Sequence, residues 1–404
     1  MFGQPRGAHG PPGFGEAVLS GSRTADGPLR VAITCYPTVG GSGILASQLG
    51  QQLAARGHEV HFVSYGMPFR LDASAPNVFF HPVEINVYDL FRYPDYTLPL
   101  SVKLAEVSRA FDLDLIHAHY AVPHAVAAYL ARQMIGAGAP QVITTLHGTD
   151  TTLMGKDPNY QPVIRHAIEH SSGVTAVSAF LRDETISTFE VRHEIRVIHN
   201  FFSPVRPSRD RERVRAELGV GGELLVLHMS NLRPVKRIDD LLRVIAASRH
   251  RDRVRLLILA GGDFAPYRPR VEALGIARQV TVMQSVLDVE NYLNAADVGL
   301  YTSEHESFGL SILESMFHRH PILAARAGGV PEVVVDGETG FLAPVGDIDG
   351  LARKLDAIVE DPERYRPMGE RGYERARALF SAERITEEYL DFYRQVLETR
   401  EARE

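Results

Sequence analysis

The feature that most narrows the fold is an alternation that runs through the chain twice. Short apolar runs end in turns rich in glycine, histidine, proline or charge, and a helical pattern follows. Leu29 to Cys35 is the first such run. It passes through Tyr36-Pro37-Thr38-Val39-Gly40-Gly41-Ser42-Gly43 into a helical stretch, Ile44 to Arg56, and Glu59 to Tyr65 reads as the next strand. That is a βαβ opening. Further strands are expected at Phe79 to Val87, Leu113 to Ile116, Gln141 to Leu146, Val174 to Val177 and Ile195 to Ile198, with a helix around Val163 to His170. Phe201-Phe202-Ser203-Pro204-Val205-Arg206-Pro207 then breaks the pattern and reads as a linker. The second series begins at Leu224 to Met229 and continues through Arg255 to Ala260, Val280 to Met283, Val298 to Tyr301, Pro321 to Ala325 and Gly340 to Leu342. The chain is therefore α/β, with two halves of like architecture. A last helix carries Ile385, Tyr389, Phe392 and Val396 on one apolar face.

Composition excludes several classes. At 404 residues, 45% hydrophobic and 23% charged, the chain has ordinary globular composition for two or three domains. A formal charge of −7 argues against a nucleic-acid binder, whose footprint would be basic. Cys35 is the single cysteine, so no intrachain disulfide can form, which suits a reducing cytoplasm. No apolar run approaches the ~20 residues that span a bilayer. The first 28 residues, with Pro5, Pro11 and Pro12 and no apolar core, read as a disordered tail and not a signal peptide.

The chemistry concentrates at Glu306-Ser307-Phe308-Gly309-Leu310-Ser311-Ile312-Leu313-Glu314. Leu310, Leu313 and Phe317 recur at helical spacing, so Glu306 falls in a strand-to-helix loop and Glu314 inside the helix. The helix start offers free backbone N–H groups to an anion. One loop thus holds a hydroxyl acceptor, a phosphate cradle and a second hydroxyl acceptor, as a nucleotide-sugar pocket requires. Two solvated carboxylates are the plainer reading. A glycosidase acid–base pair fits less well: eight residues of helix separate the α-carbons by up to ~12 Å, against roughly 5–9.5 Å between glycosidase carboxyl groups.

Other motifs are weighed in the same way. Gly41-Ser42-Gly43-Ile44-Leu45-Ala46 fits G-x-G-x-x-A, but Val63-Ser64-Tyr65-Gly66 ends the second strand without the acid a dinucleotide ribose needs. His117, His119 and His124 suggest a metal; strand alternation is read as splitting His117 from His119, which favours a polar strand end. Asp112-Leu113-Asp114 and Asp347-Ile348-Asp349 match D-x-D but lie beside helix ends, where Asp caps. His147, in the turn His147-Gly148-Thr149-Asp150, is well placed at a strand's carboxyl end. Arg233, Lys236 and Arg237 crowd a strand-to-helix turn, where cations oppose the helix dipole unless an anion is expected.

Taken together, the Glu306…Glu314 pair, the glycine loop at Gly40 to Gly43, His147-Gly148, Lys236 and Gly328-Gly329-Val330-Pro331-Glu332 resemble the retaining GT-B glycosyltransferases of family four, over nearly the whole chain from residue 29. Thr34-Cys35-Tyr36-Pro37, His117-Ala118-His119-Tyr120, Thr145-Leu146-His147-Gly148-Thr149-Asp150 and Ser230-Asn231-Leu232-Arg233-Pro234-Val235-Lys236-Arg237 are most similar to bacterial members that glycosylate L-malate in the first step of bacillithiol synthesis. The resemblance implies two Rossmann-like doubly wound domains facing a central cleft: an acceptor domain over 29–203, a nucleotide-sugar domain over 204–381, and a helix over 382–404 that packs back on the first. It implies transfer of GlcNAc from UDP-GlcNAc to L-malate with the α configuration retained, no metal cofactor, no membrane partner, and a homodimer as one possible assembly.

By the same resemblance His147, Lys236 and Glu306 are the catalytic residues. The donor site comprises Gly41, Asn231, Arg233, Lys236, Arg237, Gly262, Ser307, Phe308, Gly309, Leu310, Ser311 and Glu314. Glu314 is expected on the ribose, and Ser42, Tyr120 and Thr145 beside the acceptor. Arg165 is expected on a malate carboxylate because a dianion needs a cation. Asn231 stands where many members have a phosphate-binding Arg, leaving Arg233 or Arg237 to supply the second cation. Two alternatives stay open: a family-four enzyme with an inositol phosphate or lipid acceptor, and a non-catalytic UDP-sugar-binding protein.

Overall fold

The computed structural model describes residues 27–38, 40–85, 95–152 and 154–401. The expected tail up to residue 26, Val39 of the glycine loop, the end of the expected strand at Val87 and the last three residues lie outside that set.

Two parallel sheets carry the chain. The first has β1 (Arg30–Thr34), β2 (Glu59–Ser64), β3 (Val78–Pro82), β4 (Leu115–His119), β5 (Gln141–Leu146), β6 (Gly173–Ala176) and β7 (Ile195–Val197), in the order β3-β2-β1-β4-β5-β6-β7. The second has β8 (Leu224–Ser230), β9 (Val254–Ala260), β10 (Val280–Gln284), β11 (Val298–Tyr301), β12 (Ile322–Ala325) and β13 (Gly340–Ala343), in the order β10-β9-β8-β11-β12-β13. Every pairing is parallel, as in Val31 with Val60 and Leu115, or Val298 with Val226. Strand order reverses between β1 and β4 and between β8 and β11, and ligands collect at the carboxyl ends beside such switch points.

These strands are apolar on both faces because helices cover both. Val31 and Ile33 pack with Leu45, Leu49 and Phe62 on one side of the first sheet, while Ala32 and Ile116 pack with Leu100 and Leu104 on the other. In the second sheet Val226 and Ile258 face Leu241 and Ile245, and Leu227 and Leu257 face Tyr292 and Leu293. A further cluster joins the halves, placing Ala176 and Leu181 against Phe308, Leu313 and Phe380.

The chain crosses between halves twice, side by side. Phe202 donates its N–H to the Phe380 carbonyl (3.3 Å) and bridges Ser381. Phe201 and Phe202 are themselves buried, so the expected linker is exposed only from Pro204 to Arg206. The closing helix Ala382–Glu401 returns to the first half, burying Ile385, Tyr389, Phe392, Tyr393 and Val396 with Val31, Ile33 and Leu49. Each such side chain contributes about 1.5–3 kcal/mol, enough to make the helix part of that half. Arg56 pairs with Glu387 (2.9 Å) at its rim. Among the described residues no helix is long and apolar enough to cross a membrane.

Candidate active site

The carboxylate loop is shaped from behind by two glycines. β11 ends at Tyr301, the loop carries Glu306, and Gly309 at φ +98 turns the chain into the helix Leu310–Phe317. Gly329 N–H donates to the Glu306 carbonyl at 2.8 Å. A Cβ on Gly328 or Gly329 would overlap the backbone of Glu306 or Ser307, so only glycine admits this approach. Among the described residues, no N–H from Ser307 to Ser311 donates to a protein acceptor, and these groups are available to an anion.

The same loop is tied to the other half. Ser178 Oγ donates to the Ser307 carbonyl (2.6 Å), and Glu332 accepts from Ala179 and Phe180 N–H (2.8 and 2.9 Å) at the start of the helix Ala179–Phe189. Gly148, at φ +105, lies so close that a Cβ there would overlap the Ser307 hydroxyl. A Cβ on Gly41 would come 3.3 Å from a Leu310 methyl, a tight contact without overlap.

Between the halves lies a cavity of about 280 Å³ lined by Gly41, Asn231, Lys236, Glu306, Gly309, Leu310, Ser311 and Glu314. Of the expected donor residues, these are brought together. Lys236 Nζ meets Glu306 Oε2 at 2.5 Å. Phe308 is turned into the core, 1% exposed, against His199 and Phe380. Glu314 is 5% exposed, and burial pushes its carboxyl up to about 8, with Arg70 opposing and Glu290 adding to the shift.

Ser307 and Phe308 are outside the cavity lining, and three further expected donor residues fall elsewhere. Arg237 gives Nε to Asp240 (2.6 Å) and Nη1 to Glu304 (3.0 Å), so its charge is spent away from the cavity. Gly261, not Gly262, faces the cavity; the Gly262 carbonyl accepts from Gln284 (2.8 Å). Arg233 is exposed and outside the cavity lining, with no ion pair among the described residues. Its charge is felt by Tyr120: burial raises that phenol, and Arg233 is among the groups that lower it.

On the first half's wall, Ser42 Oγ and Tyr120 Oη are 2.8 Å apart. Tyr120 directly follows β4 at φ +86, with its ring 5.0 Å from His147. His147 Nε2 is bonded to His119 Nδ1 (2.9 Å), which leaves Nδ1 for a ligand. Burial, with His124 adding, pushes His147 down to about 3, so it is a neutral imidazole. It is outside the main cavity's lining and lines a small void with His119 and His199. Asp150 orders this turn, its buried carboxylate accepting from Ala121 and Gly148 N–H (3.1 and 3.0 Å).

Two acceptor expectations are corrected. The Thr145 hydroxyl is 2.7 Å from both His117 Nε2 and Thr175 Oγ1 and 3.4 Å from Tyr389 Oη, a buried network beneath the closing helix. Arg165 is exposed on the helix Gln161–Glu169, where it donates to the Glu190 carbonyl (3.3 Å), away from Ser42 and Tyr120. His117 and His119 also do not split. Residues two apart on a strand share a face, and their rings stack at 4.4 Å. The D-x-D aspartates do lie at helix ends: Asp112 follows the helix Thr97–Phe111 and Asp347 accepts from Gly350 N–H (2.8 Å). Cys35 is buried, which pushes its thiol up to about 12 and makes it inert.

Sequence reasoning missed Phe69 and Arg70, which reach the cavity from the loop after β2, and Ser285, Val286 and Leu287, which close its far end. The only signal was position, since both segments follow strand ends.

Comparison with known proteins places these residues in context. Residues 39–206 match the family model for Glycosyltransferase Family 4, and residues 210–375 that for Glycosyl transferases group 1. The chain is 42% identical over 372 residues to N-acetyl-alpha-D-glucosaminyl L-malate synthase of Bacillus anthracis, covering 91% of this chain and 97% of that one. It is 28% identical to a D-inositol 3-phosphate glycosyltransferase of Saccharomonospora viridis, covering 94% and 97%. Among solved structures, Anabaena HepE in complex with UDP and glucose matches with a TM-score of 0.75 at 20% identity, over 90% of this chain and 99% of that one. A glycosyltransferase from Rickettsia africae matches with a TM-score of 0.76 at 19% identity, over 92% and 99%. Both show the same two-domain fold.

Proposed function

The chain belongs to the family-four glycosyltransferases and has their GT-B fold, and from that premise we propose that it moves GlcNAc from UDP-GlcNAc to the hydroxyl of L-malate, with release of UDP. The observation that carries the donor side is one cavity holding Lys236, the free N–H groups of Leu310 and Ser311, Glu306 and the buried Glu314. The diphosphate sits on Lys236 and the helix start, the sugar on Glu306, and the ribose on Glu314. The acceptor is taken from the name of the Bacillus anthracis relative, and the reaction is then the first step of bacillithiol synthesis. A nucleotide sugar and a dicarboxylate as substrates place it in the cytoplasm.

In this reading residues 29–203, with 382–404 packed back, form the acceptor domain, and 204–381 the donor domain. Malate lies by Ser42 and Tyr120, and Arg233, with no ion pair among the described residues, takes the carboxylate role expected of Arg165. Developing charge on UDP is stabilised by Lys236 and the helix N–H groups. The malate hydroxyl oxygen bonds to the anomeric carbon on the face that the phosphate oxygen leaves. The hydroxyl proton passes to a β-phosphate oxygen, and the configuration is retained. His147, neutral, offers Nδ1 to the sugar 6-hydroxyl and does not act as an acid.

The test is UDP release from UDP-GlcNAc with L-malate, with inositol phosphate and with no acceptor. Release that depends on malate is the expected result. Equal release with inositol phosphate would move the acceptor to another class, and none with any acceptor would leave a binding protein.

A further inference from the structure

Arg70 lines the cavity yet belongs to the first half, in the loop after β2, at φ +63, a backbone region that L side chains seldom adopt. Its Nη2 lies 2.8 Å from Glu290 Oε1 on the helix Val289–Ala295 of the second half, with the two side chains 20% and 9% exposed. Withdrawing both charges from water costs much of what their attraction returns, so stability alone is a weak reason for such a pair. Two further details point to a ligand. Arg70 Nη1 is buried and has no hydrogen-bond partner among the described residues. The Glu314 carboxylate likewise accepts no hydrogen bond among them, lines the same cavity, and feels the Arg70 charge. Glu290 Oε1 is likewise without a hydrogen bond among the described residues, so the contact is an ion pair; one guanidinium thus meets one carboxylate and keeps an unpartnered donor, and it lines the cavity that Glu314 also lines.

We propose that Arg70 is a positioning residue for the nucleotide: Glu290 holds it across the cleft, and its Nη1 donates to the ribose of UDP beside Glu314. Nucleotide occupancy and cleft closure are then one event, because the arginine that seals the nucleoside comes from the opposite half. The inference rests on reading the cavity as a UDP site.

The experiment titrates UDP calorimetrically into the full chain and its Arg70→Met, Arg70→Glu, Glu290→Gln, Glu314→Gln and Arg70→Glu/Glu290→Arg variants, and measures compaction on UDP binding by small-angle scattering. Loss of a charge-assisted hydrogen bond predicts a roughly 10- to 100-fold weaker affinity for Arg70→Met, with the compaction lost. The charge-swapped double variant is expected to compact and to bind more tightly than Arg70→Glu alone. Arg70→Lys, which keeps the charge without the planar fork, covers the case in which Arg70→Met does not fold; it is expected to pair with Glu290 but bind UDP less tightly. Wild-type affinity and compaction in Arg70→Met, or in Arg70→Lys if only that variant folds, overturn the proposal. If Glu314→Gln weakens UDP while Arg70→Met does not, only this inference falls. If the wild-type protein binds no UDP, the reading of the cavity falls with it.

Discussion

Lys236 Nζ lies 2.5 Å from Glu306 Oε2, each side chain 19% exposed. The ammonium that a diphosphate would meet is already balanced by the carboxylate that a sugar hydroxyl would meet. Each holds the other in place at the start of the helix Leu310–Phe317, and neither is left as a lone, partly buried charge. In the proposed reading an arriving diphosphate would compete for the lysine and leave Glu306 free to accept from the sugar.

Lys236→Ala removes the cation that the proposed mechanism sets against the leaving group. Losing one stabilising donor of this kind costs about 10²- to 10³-fold in turnover. The expected outcome is a kcat loss in that range with the malate KM within about twofold of wild type, read from initial rates. Equal losses in both would argue against a leaving-group role. Added chelator is expected to leave the rate unchanged.

If the ribose sits on Glu314 as proposed, that residue ties nucleotide binding to pH. Its carboxyl, raised to about 8 by burial, is largely protonated at pH 7. A ribose diol donates best to the ionised form, so UDP binding should release a proton at neutral pH. Calorimetry in buffers of different ionisation enthalpy reads this directly, and Glu314→Gln should abolish it. The same shift acts on stability. A carboxyl whose folded value is raised favours the folded state below the unfolded value near 4.5, and that contribution is lost as pH rises towards 8. The ligand-free Glu314→Gln protein should therefore lose less stability than wild type between pH 5 and pH 8, by a few kcal/mol.

Much of this site was legible in the sequence because its parts are local. β5 and β11 coincide with the expected Gln141 to Leu146 and Val298 to Tyr301, since each is a self-contained apolar run between turn residues. Glu306, Gly309 and Glu314 fall where a strand-to-helix loop must put them. What failed depends on direction or on distance in the chain. Thr145 sits on the right strand, but its side chain faces His117 and Thr175 beneath the closing helix. Arg165 is close in sequence to the His147 turn, yet its helix presents it to solvent. Arg70 carries no motif, and its partner Glu290 is in the other half.

Arg233 is expected to serve the acceptor and not the donor. Arg237 is held by Asp240 and Glu304, whereas Arg233 is unpaired among the described residues and acts on Tyr120. Arg233→Met should raise the malate KM by roughly tenfold or more, the worth of one charged hydrogen bond. UDP affinity should change by less than about threefold. The comparison of malate kinetics with UDP titration checks it, and a larger loss in UDP affinity than in malate KM would return Arg233 to the diphosphate.

Gly148→Ala tests whether the halves must touch for the site to exist. Gly148 holds φ +105, where an alanine costs about 1–3 kcal/mol in backbone strain alone. Its new Cβ would also overlap the Ser307 hydroxyl, in the loop that carries Glu306. The two effects separate in a double-mutant cycle. Ser307→Gly alone should leave stability within about 1 kcal/mol of wild type, because among the described residues the Ser307 hydroxyl makes no hydrogen bond. Gly148→Ala should lower both the melting temperature and kcat. Adding Ser307→Gly should restore much of kcat while the melting temperature recovers only in part, since the clash is relieved and the strain is not. If kcat stays low in the double variant, the loss comes from distortion of the His147 turn and not from pressure on the carboxylate loop.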